Sequence, residues 1–569
     1  MGTGILGKIA NLAFAGILLA ASFTYAQAQD SARFTTLSPS DVRTYEAMFA
    51  AEKSGQIEKS DELARKLDDR SLLGYVQQAR YLGPHHRSTL GELSSWLKAY
   101  GELADADKIL DLARKRAKKG AYIPRPVPAR WRAARGDGDA FEDIDLESRA
   151  GVRARARMGA QVRNGKPEAA HRLLTTSKNL PRDDVDRLSS YAAFAYLVDA
   201  QDQAALTLAE DTVKRGGPAQ AQARWTAGLA LYRLTQFDRA AAHFEALAQD
   251  STVAQRTSAA ASFWAARSWM RAGKPERVLP LYERAAAERG TFYGLLATRL
   301  LGRDIGMEFT DPKLDQATFA QLMQSGAARR AVALWQIGQR DTMAEDLGRA
   351  FGEIDPSLDE AYAALARQLG VPTLELRAAE TAAERDVLLT SLYPIPPYEP
   401  RGGYTIDRAV VLAFARQESR FQSAALSRVG ARGVMQIMPT TAAVITGDRS
   451  LARRNRARLD DPVYSMTLGQ DYLRDLLDRQ SGNLFSLAAA YNAGPGSISR
   501  WISLHEGMND CLVFIESLPA AETRNYIKRV MVNLWMYRKR LGEPIDGLDD
   551  VAQGRWPVYA QATGTTSAR

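Results

Sequence analysis

WTAGLALYRLTQFDRAAAHF, from Trp225 to Phe244, is the stretch whose reading decides the fold. Apolar residues run at helical spacing to Tyr232, a short polar turn follows, and a second helix opens on Ala240 and Ala241. That turn recurs along the chain. Lys166-Pro167-Glu168-Ala169-Ala170, Asp202-Gln203-Ala204-Ala205, Asp238-Arg239-Ala240-Ala241 and Lys274-Pro275-Glu276-Arg277-Val278 follow one another at intervals of 36 residues, counted from the first residue of each. Each unit reads as one helix, a tight turn, and a second helix whose small first residues permit close packing.

A period in the mid-thirties is the mark of helical hairpin arrays of the tetratricopeptide type. Trp225, Gly228, Tyr232, Ala240 and Phe244 approximate the Trp, Gly, Tyr and Ala-x3-Phe parts of that pattern, and Trp264 and Tyr282 mark a looser fourth unit. Aromatic and Ala stripes at these offsets are read as interhelical packing and are assigned no site. From about residue 38 to 385 the chain is rich in Ala, Leu, Arg, Glu and Gln and reads as nearly all helix. A single hairpin cannot bury its own apolar stripe, so the copies are expected to stack into a curved solenoid. Breaks are expected at Pro124 to Pro128, at Arg135 to Asp139 and from Gly302 to Pro312. Tyr393-Pro394-Ile395-Pro396-Pro397-Tyr398-Glu399-Pro400 is a stronger break, since successive prolines block helix, and the main boundary is placed there.

The remaining features bound what the chain can be. At 569 residues it exceeds one hydrophobic core, which stops growing at roughly 250 to 300 residues. Lys8, an apolar run from Ile9 to Phe23, and Ala26-Gln27-Ala28 read as a secretory signal cut after Ala28. The run is interrupted by Asn11 and falls short of the ~20 residues that a membrane span needs. The expected location is therefore the periplasm, with no stable membrane span. Cys511 is the only cysteine, so no internal disulfide can form, and it is read as a small buried hydrophobe despite His505 nearby in sequence. The formal charge of +9 would suit an anionic partner, but export and the lack of an aromatic-interleaved basic stripe argue against nucleic acid. Arg114 to Lys119 and Arg453 to Arg458 are read as solvated faces or loops.

After Gly402-Gly403 a helix is expected with Thr405 as N-cap and Asp407 in its first turn, running to about Glu418. Val411, Phe414 and Glu418 share one face. A carboxyl at the end of an apolar stripe loses water, which raises its pKa and suits it to donate a proton to a glycosidic oxygen near neutral pH. Taken alone, Glu418 between Arg416 and Arg420 is more often a surface ion pair.

The surrounding residues change that balance. Gln417-Glu418-Ser419-Arg420-Phe421 with Ser427-Arg428-Val429-Gly430-Ala431-Arg432-Gly433-Val434-Met435-Gln436-Ile437-Met438-Pro439 resembles the first signature of the lytic transglycosylases, whose catalytic domain is lysozyme-like. Ala490-Tyr491-Asn492-Ala493-Gly494-Pro495-Gly496 is similar to their second block. Glu516-Ser517-Leu518-Pro519 with Glu522-Thr523-Arg524-Asn525-Tyr526 is similar to their third. The likeness covers about 404 to 540. Together with the helical array, and with Thr291-Phe292-Tyr293-Gly294-Leu295-Leu296-Ala297, it resembles the large soluble members of that family, whose helices form a U-shaped or ring-like superhelix.

The expected architecture is mainly α. It comprises a signal peptide (1–28), a superhelix of hairpins (29–385, with a linker-like helical region from about 300), a Pro-rich connector (386–403), a lysozyme-like catalytic domain (404–545) and a tail (546–569). The resemblance implies that Glu418 protonates the bond between N-acetylmuramic acid and N-acetylglucosamine and then acts as base. The muramic acid 6-hydroxyl would attack its own C1 to give a 1,6-anhydro end. It further implies that Ser427, Gln436, Met438, Tyr491, Asn492 and Tyr526 position sugars and that Glu516 supports charge developing at the ring.

No metal or organic cofactor is implied. The expected partner is the peptidoglycan glycan strand, with room for cell-wall enzyme complexes, and the sequence carries no direct oligomer signal. Two departures from the family pattern, Gln422-Ser423 after the Glu418 block and Ala520 after Pro519, bear on substrate preference. The rival is a hydrolase of the goose-lysozyme type, which would need a second carboxylate to activate water, with Asp460, Asp461, Asp471 and Glu516 open as candidates.

Overall fold

The structure, a computed structural model, describes residues 34–129, 132, 146–177, 179–306 and 308–559. The expected signal segment and the whole of the Arg135 to Asp139 break lie outside these residues. Among those described, the regular secondary structure is all helical. Pairing is limited to isolated bridges such as Leu426 with Arg432 and Arg432 with Ile437. No helix among them is long and apolar enough to cross a membrane.

The four recurring turns share one backbone solution. Gly165, Ala200, Thr235 and Gly273 each adopt a left-handed conformation with φ between 57° and 74°. The next residue caps the following helix with ψ of 63° or 64° in all four cases. Each of these caps donates its N–H back across the turn, Lys166 to Gln161 O and Gln236 to Leu231 O at 3.0 and 2.9 Å, closing the six-residue ring that ends many helices. The same geometry recurs at Gly55, Gly338 and Gly370, where no repeated sequence marks it. Ala200 and Thr235 take the left-handed conformation without being glycine, at a cost of roughly 1–2 kcal/mol each.

The aromatic stripe packs helix on helix. Trp225 meets Phe244 edge to face at 5.5 Å, and Tyr232 meets Trp264 at 5.3 Å. Gly228 sits under the Phe244 ring, where an added Cβ would come within 2.7 Å.

Two compact units emerge. The first joins residues up to 136 with 309–396, and the second joins 137–308 with 397–569. Within the first, the Gln336 side chain accepts from Thr36 and Leu37 N–H at 2.9 and 3.0 Å, and Phe34 packs on Phe319. Asp346, fully buried, is held by Arg330 at 3.0 Å.

In the second unit, helix Arg408–Ser419 packs along helix Ala521–Leu541, whose Met531, Trp535 and Tyr537 are fully buried. The helices from Arg182–Val198 to Phe292–Leu300 belong to the same unit. Residues 546–559 pack as well. Helix Leu548–Ala552 buries Leu548 and Val551, Leu484 N–H donates to Pro557 O at 3.0 Å, and Trp556 meets Phe514 at 5.0 Å.

Candidate active site

Helix Arg408–Ser419 starts two residues after Ile406, not at Thr405. Its N-cap is Asp407, whose carboxylate accepts from Ala409 N–H at 2.7 Å and is clamped by buried Arg538 at 2.8 Å. Thr405 is used elsewhere, its N–H donating to Gln470 at 2.8 Å. From this fixed start the apolar face runs through Val411 and Phe414, both buried, to Glu418 in the last turn.

Beyond the helix the chain turns sharply. Arg420 and Phe421 take φ of 55° and 66°, and Phe421 plugs the core. Two successive left-handed non-glycine residues store strain of order 1 kcal/mol each beside the carboxyl.

Glu418 is partly buried and accepts a 2.5 Å hydrogen bond from the Tyr526 hydroxyl. Loss of water pushes its pKa from the ordinary 4.5 up to about 7; the Tyr526 hydroxyl opposes this and the neighbouring Glu522 adds to it. Glu418 is flanked in sequence by Arg416 and Arg420. Arg416 donates to Asn533 at 2.8 Å. The tyrosine stays protonated and able to donate, because burial and the Glu418 charge raise its own pKa well above 10.0.

Tyr491 is brought to the same wall. Its ring lies 5.0 Å from Phe414, which also packs on Tyr526, and its hydroxyl donates to Met435 O at 2.8 Å. That bond ties the Tyr491 block to the 430–437 turn. Ser419 fixes the turn from the other side by donating to Val434 O at 2.7 Å.

The two turn glycines differ in their surroundings. Gly430, with φ of 93°, has open space around it. Gly433 makes its close approach to protein and not to solvent space, since a Cβ there would meet Leu459 O at 2.0 Å. Gln436 takes a left-handed φ of 45° and places its amide nitrogen on Ala425 O and Gly433 O at 3.0 and 2.9 Å. Its donors therefore hold the turn, and its carbonyl oxygen is what remains for a ligand. Ser427 likewise accepts from Ala431 N–H at 2.9 Å. Met438, half-buried, precedes helix Pro439–Thr446.

Asn492 accepts from Thr523 at 2.6 Å and faces the Glu522 carboxylate at 3.5 Å. Glu522 is thus the second carboxylate beside Glu418. Sequence reading passed over it, although its position four residues before Tyr526 places both on one helical face. Glu516 has partners of its own. It is buried, accepts from the Tyr293 hydroxyl, and pairs with Lys528 at 3.1 Å. The other acids open to the hydrolase reading are also committed. Asp460 binds Arg432, Asp461 caps Tyr464 N–H, and Asp471 pairs with Arg474.

Cys511 is fully buried, its thiol donating to Arg555 O at 3.0 Å and its pKa raised by burial. Among the described residues, no group of three or more His, Cys, Asp or Glu is placed to hold a metal ion.

Residues 399–512 match the family model described as Transglycosylase SLT domain. The C-terminal region is an SLT domain. Over 142 residues it is 37% identical to the soluble lytic murein transglycosylase of Salmonella typhimurium, a match covering 25% of this chain and 22% of that protein. The chain thus spans about a fifth of the length of that curated relative.

The likeness of fold extends further than the SLT domain. A lytic transglycosylase of Pseudomonas aeruginosa, solved as an inactive glutamate-to-glutamine mutant, aligns over 90% of this chain and 75% of its own with a TM-score of 0.55 at 22% identity. The 70-kDa soluble lytic transglycosylase of Escherichia coli aligns over 91% and 99% with a TM-score of 0.53 at 18% identity. At such identities the helices outside the SLT domain share a fold with these proteins.

Proposed function

We propose that this protein is a periplasmic peptidoglycan lytic transglycosylase with Glu418 as its acid and base. The observation that carries the reading is a carboxyl with a pKa of about 7, half protonated at neutral pH, at the end of the apolar face of a helix within an SLT domain. A protonated Glu418 donates to the oxygen linking N-acetylmuramic acid to N-acetylglucosamine as the C1–O4 bond breaks. The resulting carboxylate takes the proton from the muramic acid 6-hydroxyl, and O6 closes on C1. The proton count balances without water, and the enzyme returns to its starting state.

Tyr526 steadies the carboxylate between the two steps, since a hydrogen bond to the charged form favours it. Glu522 stabilises positive charge developing at the sugar ring, a role the sequence reading gave to Glu516. Tyr491, Asn492, Ser427, Met438 and the Gln436 carbonyl line the sugar path. The inactive glutamate-to-glutamine mutant of the Pseudomonas aeruginosa protein accords with a single essential acid.

A hydrolytic outcome has one observation in its favour, the Glu522 carboxylate beside the acid, which could activate a water. Mass spectrometry of fragments released from purified cell wall separates the two. Fragments one water lighter than hydrolytic ones are expected, and reducing-end fragments alone would overturn the transglycosylase reading.

A further inference from the structure

RAGVRARARMGAQVR, from Arg149 to Arg163, is a helix with five arginines and no acidic residue. Its Ala154 and Met158 share a core cluster with Leu188 and Ala192 of helix Arg182–Val198. Arg149, Arg153 and Arg157 are exposed, as on any solvated helix face.

Arg155 and Arg163 are held differently. The Arg155 guanidinium lies over the Tyr191 ring, 3.6 Å from its centroid. Gly159 stands four residues from each arginine, so all three share one face of the helix. A Cβ added there would lie 2.9 Å from Arg155 Nη1, 3.5 Å from Arg163 Nη1 and 3.7 Å from the Tyr191 hydroxyl. With no side chain at Gly159, two guanidinium groups and a phenol converge on one notch.

Two cations held so close repel each other, and the acids around them are used elsewhere. Asp184 accepts from the Glu147 N–H at 2.8 Å, Asp186 pairs with Arg215 at 2.5 Å, and Glu147 faces Arg187 at 3.8 Å. Among the described residues neither Arg155 nor Arg163 forms an ion pair. Burial raises the pKa of Tyr191 against the pull of both arginines, so its hydroxyl keeps the proton it can donate.

The notch thus offers N–H donors from two side chains and an O–H from a third, with no carboxylate to accept them. An anion placed there relieves the repulsion. A carboxylate presents its two oxygens in one plane, whereas a phosphate group presents oxygens in several directions and is matched by the guanidinium fork. We propose that Arg155, Arg163 and Tyr191 form a binding site for a phosphate group, outside the SLT domain. The exposed Arg149, Arg153 and Arg157 draw anions toward it. A free phosphate and the phosphate of a lipid headgroup share this chemistry.

Titration calorimetry of the full chain with sodium phosphate, against sodium chloride at matched ionic strength, tests the site. Wild type should bind phosphate saturably. Single exposed charge contacts are worth a few-fold, so R163Q should weaken binding by that much and R155Q/R163Q about tenfold. R149Q/R153Q/R157Q leaves the notch intact and should weaken binding less than R163Q alone. Sodium acetate should bind about tenfold more weakly than phosphate. No saturable binding in wild type, acetate binding as tightly as phosphate, or a loss in R149Q/R153Q/R157Q equal to that in R155Q/R163Q would overturn the proposal. Vesicles separate the two sources. Capture of wild type but not of R155Q/R163Q by phosphatidylglycerol vesicles, reversed by free phosphate, marks a lipid headgroup as the ligand. Saturable phosphate binding without such capture marks a free phosphate.

Discussion

The Tyr526 hydroxyl donates to Glu418 Oε1 across 2.5 Å, joining two helices whose residues lie 108 positions apart in sequence. This bond and the Glu522 carboxylate act on the same proton in opposite directions. The acid must be protonated to work, so kcat/KM is expected to fall as pH rises through about 7. In Y526F the bond that favours the charged form is gone, and the falling limb should move to higher pH, with a loss of about ten- to a hundredfold in rate. In E522Q the repulsion is gone, and the limb should move to lower pH. A pH–rate series on the three proteins measures both shifts, and two shifts of the same sign would contradict the arrangement.

E418Q should lose about a hundred- to ten-thousandfold in wall-cleaving activity, as expected when a general acid is removed. It should also be more stable than wild type at neutral and alkaline pH. The Glu418 pKa is raised in the folded state, so its relative contribution is most favourable below the ordinary 4.5 and is lost as pH rises through about 7. For a partly exposed group the gain is about 1–2 kcal/mol. Denaturant melts at pH 4 and pH 8 should show the two proteins alike at the lower pH and separated at the higher.

Glu516 should behave as a structural residue. Its loss in E516A leaves the half-buried Lys528 ammonium and the buried Tyr293 hydroxyl without their acceptor, at about 2–4 kcal/mol. Thermal melting should fall by many degrees, while the pH of the falling activity limb stays where wild type has it at temperatures where the variant is folded. A displaced limb with unchanged melting would place Glu516 at the reacting sugar instead.

G433A should be far more damaging than G430A. Both positions have positive φ, but only at Gly433 would a methyl group meet backbone, at 2.0 Å from Leu459 O. The expected cost is about 2–4 kcal/mol against about 1 kcal/mol, readable by denaturant titration.

Much of this was legible in the sequence because it rests on local rules. The 36-residue turn and the apolar face ending in Glu418 depend on spacing alone, and the three blocks rest on a resemblance to the lytic transglycosylases. The cap of the Glu418 helix was misplaced because Asp407 is fixed by Arg538, a residue 131 positions away. The partner of Glu516 is as remote. Tyr293, which claims Glu516, is 223 residues upstream, whereas the helical spacing of Glu522 and Tyr526 was visible and went unused. The hairpins at Gly55, Gly338 and Gly370 keep the backbone of the repeat without its residues, so no periodic signal announced them.

The segment 510–528 has a consequence for how this domain can be inherited. Phe194 lies under Arg524, Arg233 reaches Ser517, Arg267 holds Asp510, and Tyr293 holds Glu516, each from a different helix of the 182–300 stretch. A recombination event that cut at the prolines and carried away 397–569 alone would leave these polar groups facing a surface that no longer complements them. The portable module is discontinuous in the gene, and exchange between relatives should move the 182–300 helices and the SLT domain together.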